Sequence, residues 1–367
     1  MSLPLRSDLI GLEPYGAPQL HVPHLLNVNE NPYQPPAAVV EAAADAVRAA
    51  VAGLNRYPDR DFLALRQDLV GYLAHESGAN IDPAQLWAAN GSNEVMLHML
   101  QAFGGPGRAA LSFAPTYSMY PEYARDTLTQ WVLGEREPDF TLDPQRAAAT
   151  ITQVRPAVVL LASPNNPTGT ALPIETTRYL AEVTRTSGPD GGPSVLVIDE
   201  AYAEFRRAAV PSALGLLPQF SHLAVSRTMS KAFAYAGARV GYLAAAPELI
   251  DALRVVRLPY HLSTITQAAA RAALAHADLL QQQVAAIRDG RDRCVHWLRA
   301  QGFQAVDSDA NFVLFGLFED RHAVWQGLLD RGVLIRQTGP QEYLRVSIGT
   351  PQDMNAFENA LKEVTAR

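Results

Sequence analysis

Of the 30 basic residues in this chain only two are lysines, Lys231 and Lys362. Arginine can fill most surface charge roles, but its guanidinium stays protonated and does not serve as an amine nucleophile. A lysine retained in an arginine-biased chain is therefore informative. Lys362 falls in a helical pattern over 351–365 and reads as solvent-facing. Lys231 falls in Ser226-Arg-Thr-Met-Ser-Lys-Ala-Phe, among hydroxyls and apolar residues. Taken alone it reads as a surface lysine after a strand rather than as a Schiff-base former. Its company shifts the balance. Thr228 and Ser230 supply hydroxyls, and Arg239, between Gly237 and Gly241, supplies a permanent cation. Hydroxyl donors and a fixed cation are what a phosphate monoester needs.

Other clusters point the same way. Ala89-Asn-Gly-Ser-Asn-Glu-Val sits where a strand gives way to a helix over 92–103. Free N–H groups at such a start favour an anion. Ser92 and Asn93 then become a second half of a phosphate cup, or else simply cap the helix. Val195-Leu-Val-Ile-Asp199 is an apolar strand ending in an acid. A buried carboxylate needs a cation or donor, and a pyridinium N–H is one such partner; helix capping is the other reading. Tyr202 could donate to a phenolate oxygen on the same ring. Asn166, fixed in the turn Ser163-Pro-Asn-Asn-Pro-Thr-Gly, could do likewise. Tyr117 could stack on the ring or merely pack. Arg345, in the strand Tyr343-Leu-Arg-Val-Ser-Ile, and Arg336, in Val333-Leu-Ile-Arg, each require a carboxylate or phosphate, whether from a ligand or from a structural ion pair.

These groups must be positioned by a framework. Short apolar runs at 86–89, 108–113, 157–162, 194–199, 222–226 and 239–245 alternate with helices or loops. That pattern predicts a mostly parallel sheet buried on both faces, with ligands beyond the strand C-termini. Helices are expected at 37–52 and 61–76. After about 255 one long helix is expected over 266–299. A strand at 312–315, a helix at 321–331 and strands at 333–336 and 343–348 follow, forming a smaller α/β unit. The Pro-rich first 35 residues read as an irregular arm. The expected division is an arm (1–35) contributing to the small domain and active site, a large domain (36–257) and a small domain (258–367).

Bulk composition excludes several classes. A net charge of −7 argues against nucleic-acid binding. No apolar run spans a bilayer and no signal-peptide stretch opens the chain, so a cytoplasmic protein is expected. The single cysteine, Cys294, rules out an intrachain disulfide or a thiolate metal cluster. The nine histidines show no zinc spacing, and there is no Walker A sequence. No metal is expected.

Taken together, Asn166-Pro-Thr-Gly, Asp199-x-x-Tyr202, Ser230-Lys231 and Arg239 resemble the fold-type I aminotransferases, which use pyridoxal 5′-phosphate (PLP). The resemblance covers nearly the whole chain. Ser230-Lys-Ala-Phe-Ala-Tyr-Ala-Gly-Ala-Arg-Val-Gly is its most specific run. Pro14-Tyr15-Gly, Leu26-Asn-Val-Asn29-Glu-Asn-Pro, Arg56-Tyr57-Pro-Asp and Leu344-Arg345-Val-Ser-Ile-Gly-Thr are similar to the histidinol-phosphate subgroup. The resemblance implies an α/β fold with a large, mostly parallel sheet domain and a smaller α/β C-terminal domain. It also implies roles. Lys231 links to the cofactor and shuttles the proton, Asp199 pairs with the pyridine nitrogen, and Asn166 and Tyr202 contact the ring oxygen. Tyr117 stacks on the ring. Ser92, Asn93, Thr228, Ser230 and Arg239 bind the phosphate. Tyr57 reaches the neighbouring subunit's cofactor, which requires a homodimer. Tyr15, Asn29, Arg336 and Arg345 line the substrate site. The expected reaction is transamination of a phosphorylated amine with a 2-oxo acid, L-histidinol phosphate with 2-oxoglutarate, in histidine biosynthesis. The alternatives are an aromatic amino-acid aminotransferase and a lyase that decarboxylates threonine phosphate.

Overall fold

The structure, a computed structural model, describes residues 3–366. In chain order a short strand β1 (His24–Leu25) precedes helices α1 (Ala37–Val51) and α2 (Leu63–Ser77). Then come β2 (Leu86–Ala89), α3 (Ser92–Phe103), β3 (Ala109–Ala114), α4 (Tyr120–Asp126), β4 (Gln130–Glu135) and α5 (Pro144–Val154). Next are β5 (Val158–Ala162), α6 (Ile174–Thr184), β6 (Val195–Asp199), β7 (Leu223–Thr228) and β8 (Gly241–Ala245). The remainder holds α7 (Pro247–Val256), α8 (Thr264–Leu274), α9 (Ala277–Ala300), β9 (Gln304–Ala305), β10 (Phe312–Gly316) and α10 (Arg321–Asp330). It ends with β11 (Val333–Leu334), β12 (Tyr343–Ser347) and α11 (Pro351–Thr365).

Seven strands form one sheet in the order β2-β8-β7-β6-β5-β3-β4. Only β8 runs against its neighbours; the pairs β7–β6, β6–β5, β5–β3 and β3–β4 are parallel. Every residue of β5, β6 and β7 is buried, as helices on both faces demand. The mostly parallel sheet is as expected. The parallel strands β5, β6 and β7 finish at one edge, and β8 starts there: Thr228 pairs with Gly241, and so does Ala89 at the end of β2. Polar residues from four strand termini thus meet at that edge.

Three features depart from expectation. The edge strand β4 went unpredicted because its residues Gln-Trp-Val-Leu-Gly-Glu are all exposed or half-buried, without the buried apolar run of the inner strands. The single helix expected over 266–299 is two, broken at Ala275–His276, where His276 leaves helical geometry at φ −120°. The break lets α8 pack on α1 and α2 while α9 packs on β9 and β10. No glycine or proline marks it. The strand expected over 333–336 shortens to Val333–Leu334, which pairs in parallel with β1 of the arm; Arg336 makes only an isolated bridge to Arg345. The arm therefore carries a strand within its otherwise irregular course. A three-stranded antiparallel sheet, β12-β10-β9, completes the C-terminal part. Among the described residues no helix is long and apolar enough to cross a membrane.

Candidate active site

A cavity of about 450 Å³ opens at the sheet edge described above, within the size range of small-molecule sites. It brings together Lys231, Asp199, Tyr202, Asn166, Tyr117, Ser92, Asn93, Thr228, Ser230 and Arg239 with Tyr15, Asn29, Arg336 and Arg345. Of the residues singled out by sequence, only Tyr57 lies elsewhere. It sits between α1 and α2, 80% exposed, its ring stacked on Tyr260 at 4.5 Å.

Strand alternation aims the central groups. Thr228, the last residue of β7, turns into the cavity, while Arg227 before it points away into a buried ionic cluster. There Arg227 reaches Glu76 at 2.7 Å and Glu200 at 2.8 Å and donates to Ser212 Oγ at 3.0 Å. Glu200 follows Asp199 directly. The pair Arg227–Glu200 thus ties the ends of β6 and β7 together from behind, while Asp199 and Thr228 face the cavity. Sequence reading passed over this clamp.

Asp199 is 6% exposed and lacks any cationic partner among the described residues. Its Oδ2 accepts from Tyr120 Oη at 2.9 Å and its Oδ1 from the Ala201 N–H at 3.2 Å. Burial lifts its pKa to about 6 despite these donors. Tyr120 was not anticipated; its signal was its place three residues after Tyr117, on the first turn of α4. Lys231 Nζ donates to the Val28 carbonyl at 3.0 Å. Burial, then the nearby Arg345 guanidinium, lowers its pKa to about 8, while Glu30 opposes the shift. Tyr202 Oη accepts from Asn29 Nδ2 at 3.0 Å and from Asn166 Nδ2 at 3.4 Å.

The anion cup has a distinctive build. Gly91 precedes α3 with φ 87° and offers no side-chain cap, so the first N–H groups of the helix keep no side-chain acceptor at that position. A Cβ on Gly91 would collide with the Arg239 guanidinium, and one on Gly241 with the Ser92 amide. Backbone, helix start and arginine are therefore as close as glycine allows. Thr228 Oγ1 and Ser230 Oγ lie 3.0 Å apart beside them. The capping alternative for Ser92 and Asn93 gains no support, since the cap position is Gly91 itself.

A second cationic group, Arg345 with Arg336, lines the same cavity. Arg345 is buried in β12, yet no carboxylate meets it among the described residues. Its Nη1 donates to Asn166 Oδ1 at 2.6 Å and its Nη2 to the Asn27 carbonyl at 2.8 Å, while its Nε is buried without a partner. The structural ion pair considered for Arg345 is not present. Arg336 is half-buried beside it and, among the described residues, also lacks an acidic partner.

These features fit PLP. An uncompensated buried acid suits the ring nitrogen, a cradle that admits no Cβ suits the phosphate, and an amine of lowered pKa lines the same cavity.

Comparison with known proteins agrees with this geometry. The chain matches the aminotransferase class I and II family over residues 24–361. It is 57% identical over 365 residues to the histidinol-phosphate aminotransferase of Thermobifida fusca, covering 100% of this chain and 96% of that one. It is 54% identical to the enzyme of that name from Bifidobacterium longum, covering 99% and 97%. Among solved structures, histidinol-phosphate aminotransferase from Sinorhizobium meliloti in complex with pyridoxal 5′-phosphate superposes with TM-score 0.80 at 25% identity, covering 94% of this chain and 91% of that one. An aspartate aminotransferase variant from Thermus thermophilus superposes with TM-score 0.82 at 26% identity, covering 98% and 99%. The shared fold is thus common to enzymes named for different substrates, and it does not by itself select one.

Proposed function

The chain belongs to the class I and II aminotransferases, and on that premise we propose that it exchanges an amino group between L-histidinol phosphate and 2-oxoglutarate, giving imidazole-acetol phosphate and L-glutamate in histidine biosynthesis. The observation that carries the reading is the presence of two separate cationic groups in the cavity that holds Lys231, Arg239 with its cup and Arg345 with Arg336. One group suits the phosphate of the cofactor, and the other suits the phosphate or carboxylate of a substrate. Relatives of 50–57% identity over nearly full length carry the histidinol-phosphate name.

When bound, PLP supplies an electron sink that takes up the pair left as the substrate Cα–H bond breaks. The chain supplies the rest. Lys231 Nζ, with its lowered pKa, is partly neutral near physiological pH, as a nucleophile and base must be. Lys231 would be the residue that holds the cofactor covalently, and its freed Nζ would be the base that takes the Cα proton. Asp199 would pair with the protonated ring nitrogen, and Tyr120 keeps Asp199 in place. Tyr202 and Asn166 hold the ring oxygen, and Tyr117 packs on the ring. Ser92, Asn93, Thr228, Ser230 and Arg239 hold the phosphate. Arg345 and Arg336, with Tyr15 and Asn29, take the substrate. Arg345 also touches Asn166, so anion binding is coupled to the grip on the ring oxygen.

Tyr57 serves the neighbouring subunit's cofactor in a cytoplasmic homodimer. In support, it is exposed and does not line its own cavity.

The test is a single-turnover comparison. Purified enzyme is mixed with histidinol phosphate or with phenylalanine, and loss of the cofactor's ~410–430 nm band is followed. Faster conversion by histidinol phosphate is expected. Faster conversion by phenylalanine would replace this reading with an aromatic amino-acid aminotransferase.

A further inference from the structure

Four basic side chains line the cavity, Lys231, Arg239, Arg336 and Arg345, against two acidic ones, Asp199 and Glu30. Asp199 is committed to the deep end by its burial and by Tyr120. Glu30 is different. It is exposed at the cavity mouth and makes no ion pair or side-chain hydrogen bond among the described residues. Its charge is nonetheless felt inside, where it raises the proton affinity of Lys231.

Glu30 is also held on a fixed wall. The Asn27 carbonyl accepts from Arg345 and the Val28 carbonyl from Lys231. Asn29 adopts φ 56°, a left-handed geometry that asparagine tolerates. Its side chain donates to Tyr202, and the hydroxyl of Ser347 donates to its Oδ1 at 2.8 Å. Its carbonyl accepts from Asn311 Nδ2 at 3.0 Å. Beyond Glu30, Asn31 Nδ2 reaches the Ala232 carbonyl at 3.4 Å. The backbone is thus anchored on both sides of Glu30, while the carboxylate has no partner of its own.

We propose that Glu30 is a specificity-determining residue whose carboxylate accepts a hydrogen bond from the ring N–H of a heteroaromatic amino substrate. This rests on the substrate reading above. The reacting amine goes to Lys231, and the phosphate goes to the arginines. The imidazole is the remaining arm of histidinol phosphate, and its N–H is the donor that the unpaired acid lacks. A phenyl ring would leave the carboxylate facing an apolar surface, at a desolvation cost. A second carboxylate, as in glutamate, would meet like charge. Glu30 therefore favours the imidazole substrate and disfavours the dicarboxylate.

The experiment uses the holoenzyme of Glu30→Gln, with retained cofactor absorbance as the check that it folds and loads. Half-reaction kcat/KM is measured for histidinol phosphate and for glutamate. The ratio of the two is expected to fall roughly 10-fold or more, because a neutral acceptor replaces a charged one and the repulsion of glutamate is lifted. An unchanged ratio overturns the proposal. If both rates fall together and the pH midpoint of the cofactor band moves, Glu30 acts on Lys231 instead, which also overturns it. Failure of the wild type to convert histidinol phosphate sinks the substrate reading and this inference with it. A wild type that converts it, beside an unaltered variant ratio, sinks the inference alone.

Discussion

Asp199→Asn should stabilise the cofactor-free protein while disabling the enzyme. The native pKa of Asp199 is about 6, against an ordinary 3.8. The folded state therefore binds its proton more tightly than the unfolded state does. Stability contributed by the protonated form is lost as pH rises from about 4 through 6 and stays lost above. The difference of 2.2 units, from 6 minus 3.8, corresponds to about 3 kcal/mol at 1.36 kcal/mol per unit. Asparagine never ionises, so it escapes that cost. It accepts through one oxygen only, so one of the two donors, Tyr120 Oη or the Ala201 N–H, loses its acceptor, at about 1 kcal/mol. The net gain is about 2 kcal/mol at pH 8. Urea unfolding of both cofactor-free proteins measures it, and the gap should widen by about 1–1.5 kcal/mol from pH 5 to pH 8. With cofactor restored, the variant should lose at least about 100-fold in kcat, because the ring nitrogen loses its ionic partner. A gap that does not vary with pH, or a variant less stable throughout, would refute the view of Asp199 as a buried acid awaiting a cation.

Three further outcomes are expected. Capture of PLP by cofactor-free enzyme, followed by absorbance, should accelerate with pH and level off above a midpoint of about 8, because burial lowers the Lys231 pKa and leaves the amine neutral above it; a midpoint near the ordinary 10.5 would contradict this. Gly91→Ala should weaken PLP binding in equilibrium dialysis by roughly 10-fold or more and lower stability by about 1–2 kcal/mol, since its methyl would displace Arg239 and its φ is positive. Unaltered affinity would show that the tight approach is incidental. Tyr57→Phe should raise the PLP dissociation constant severalfold although Tyr57 stands outside its own cavity, and sedimentation should report a dimer; unchanged affinity would limit Tyr57 to its contact with Tyr260.

Much of the site was legible because a parallel sheet announces itself. The apolar runs at 194–199 and 222–226 marked strand ends, the second two residues short of Thr228, and polar residues there had to face a common edge. The glycines flanking Ser92 and Arg239 were visible, although their closeness was not, since it depends on β2 and β7 both adjoining β8. Tyr120 was missed because a tyrosine on a short helix looks like packing until its partner is known. The Arg227 clamp escaped for a related reason. It joins Glu76 of α2, Glu200 after β6 and Arg227 of β7, three separate segments, and no local spacing encodes it. The break at His276 comes from what α8 and α9 pack against, and the Ala-rich sequence would continue a helix unaided. The length of β11 was overestimated because its only ladder partner, β1, contributes two residues.

The chemical groups and the recognition groups sit on different scaffolds. Lys231, Asp199 and Thr228 stand at or just beyond strand ends braced from behind by Arg227, whereas Tyr15 and Glu30 come from the arm, Arg336 from the segment after β11 and Arg345 from β12. This separation makes the protein evolvable in one direction. Mutational drift in the arm can retune which amine is accepted while the proton-transfer machinery stays intact. A library restricted to positions 15, 30 and 336 would therefore explore substrate range with few unfolded or cofactor-less members, whereas randomising positions 199, 200 and 227 would yield few that load the cofactor.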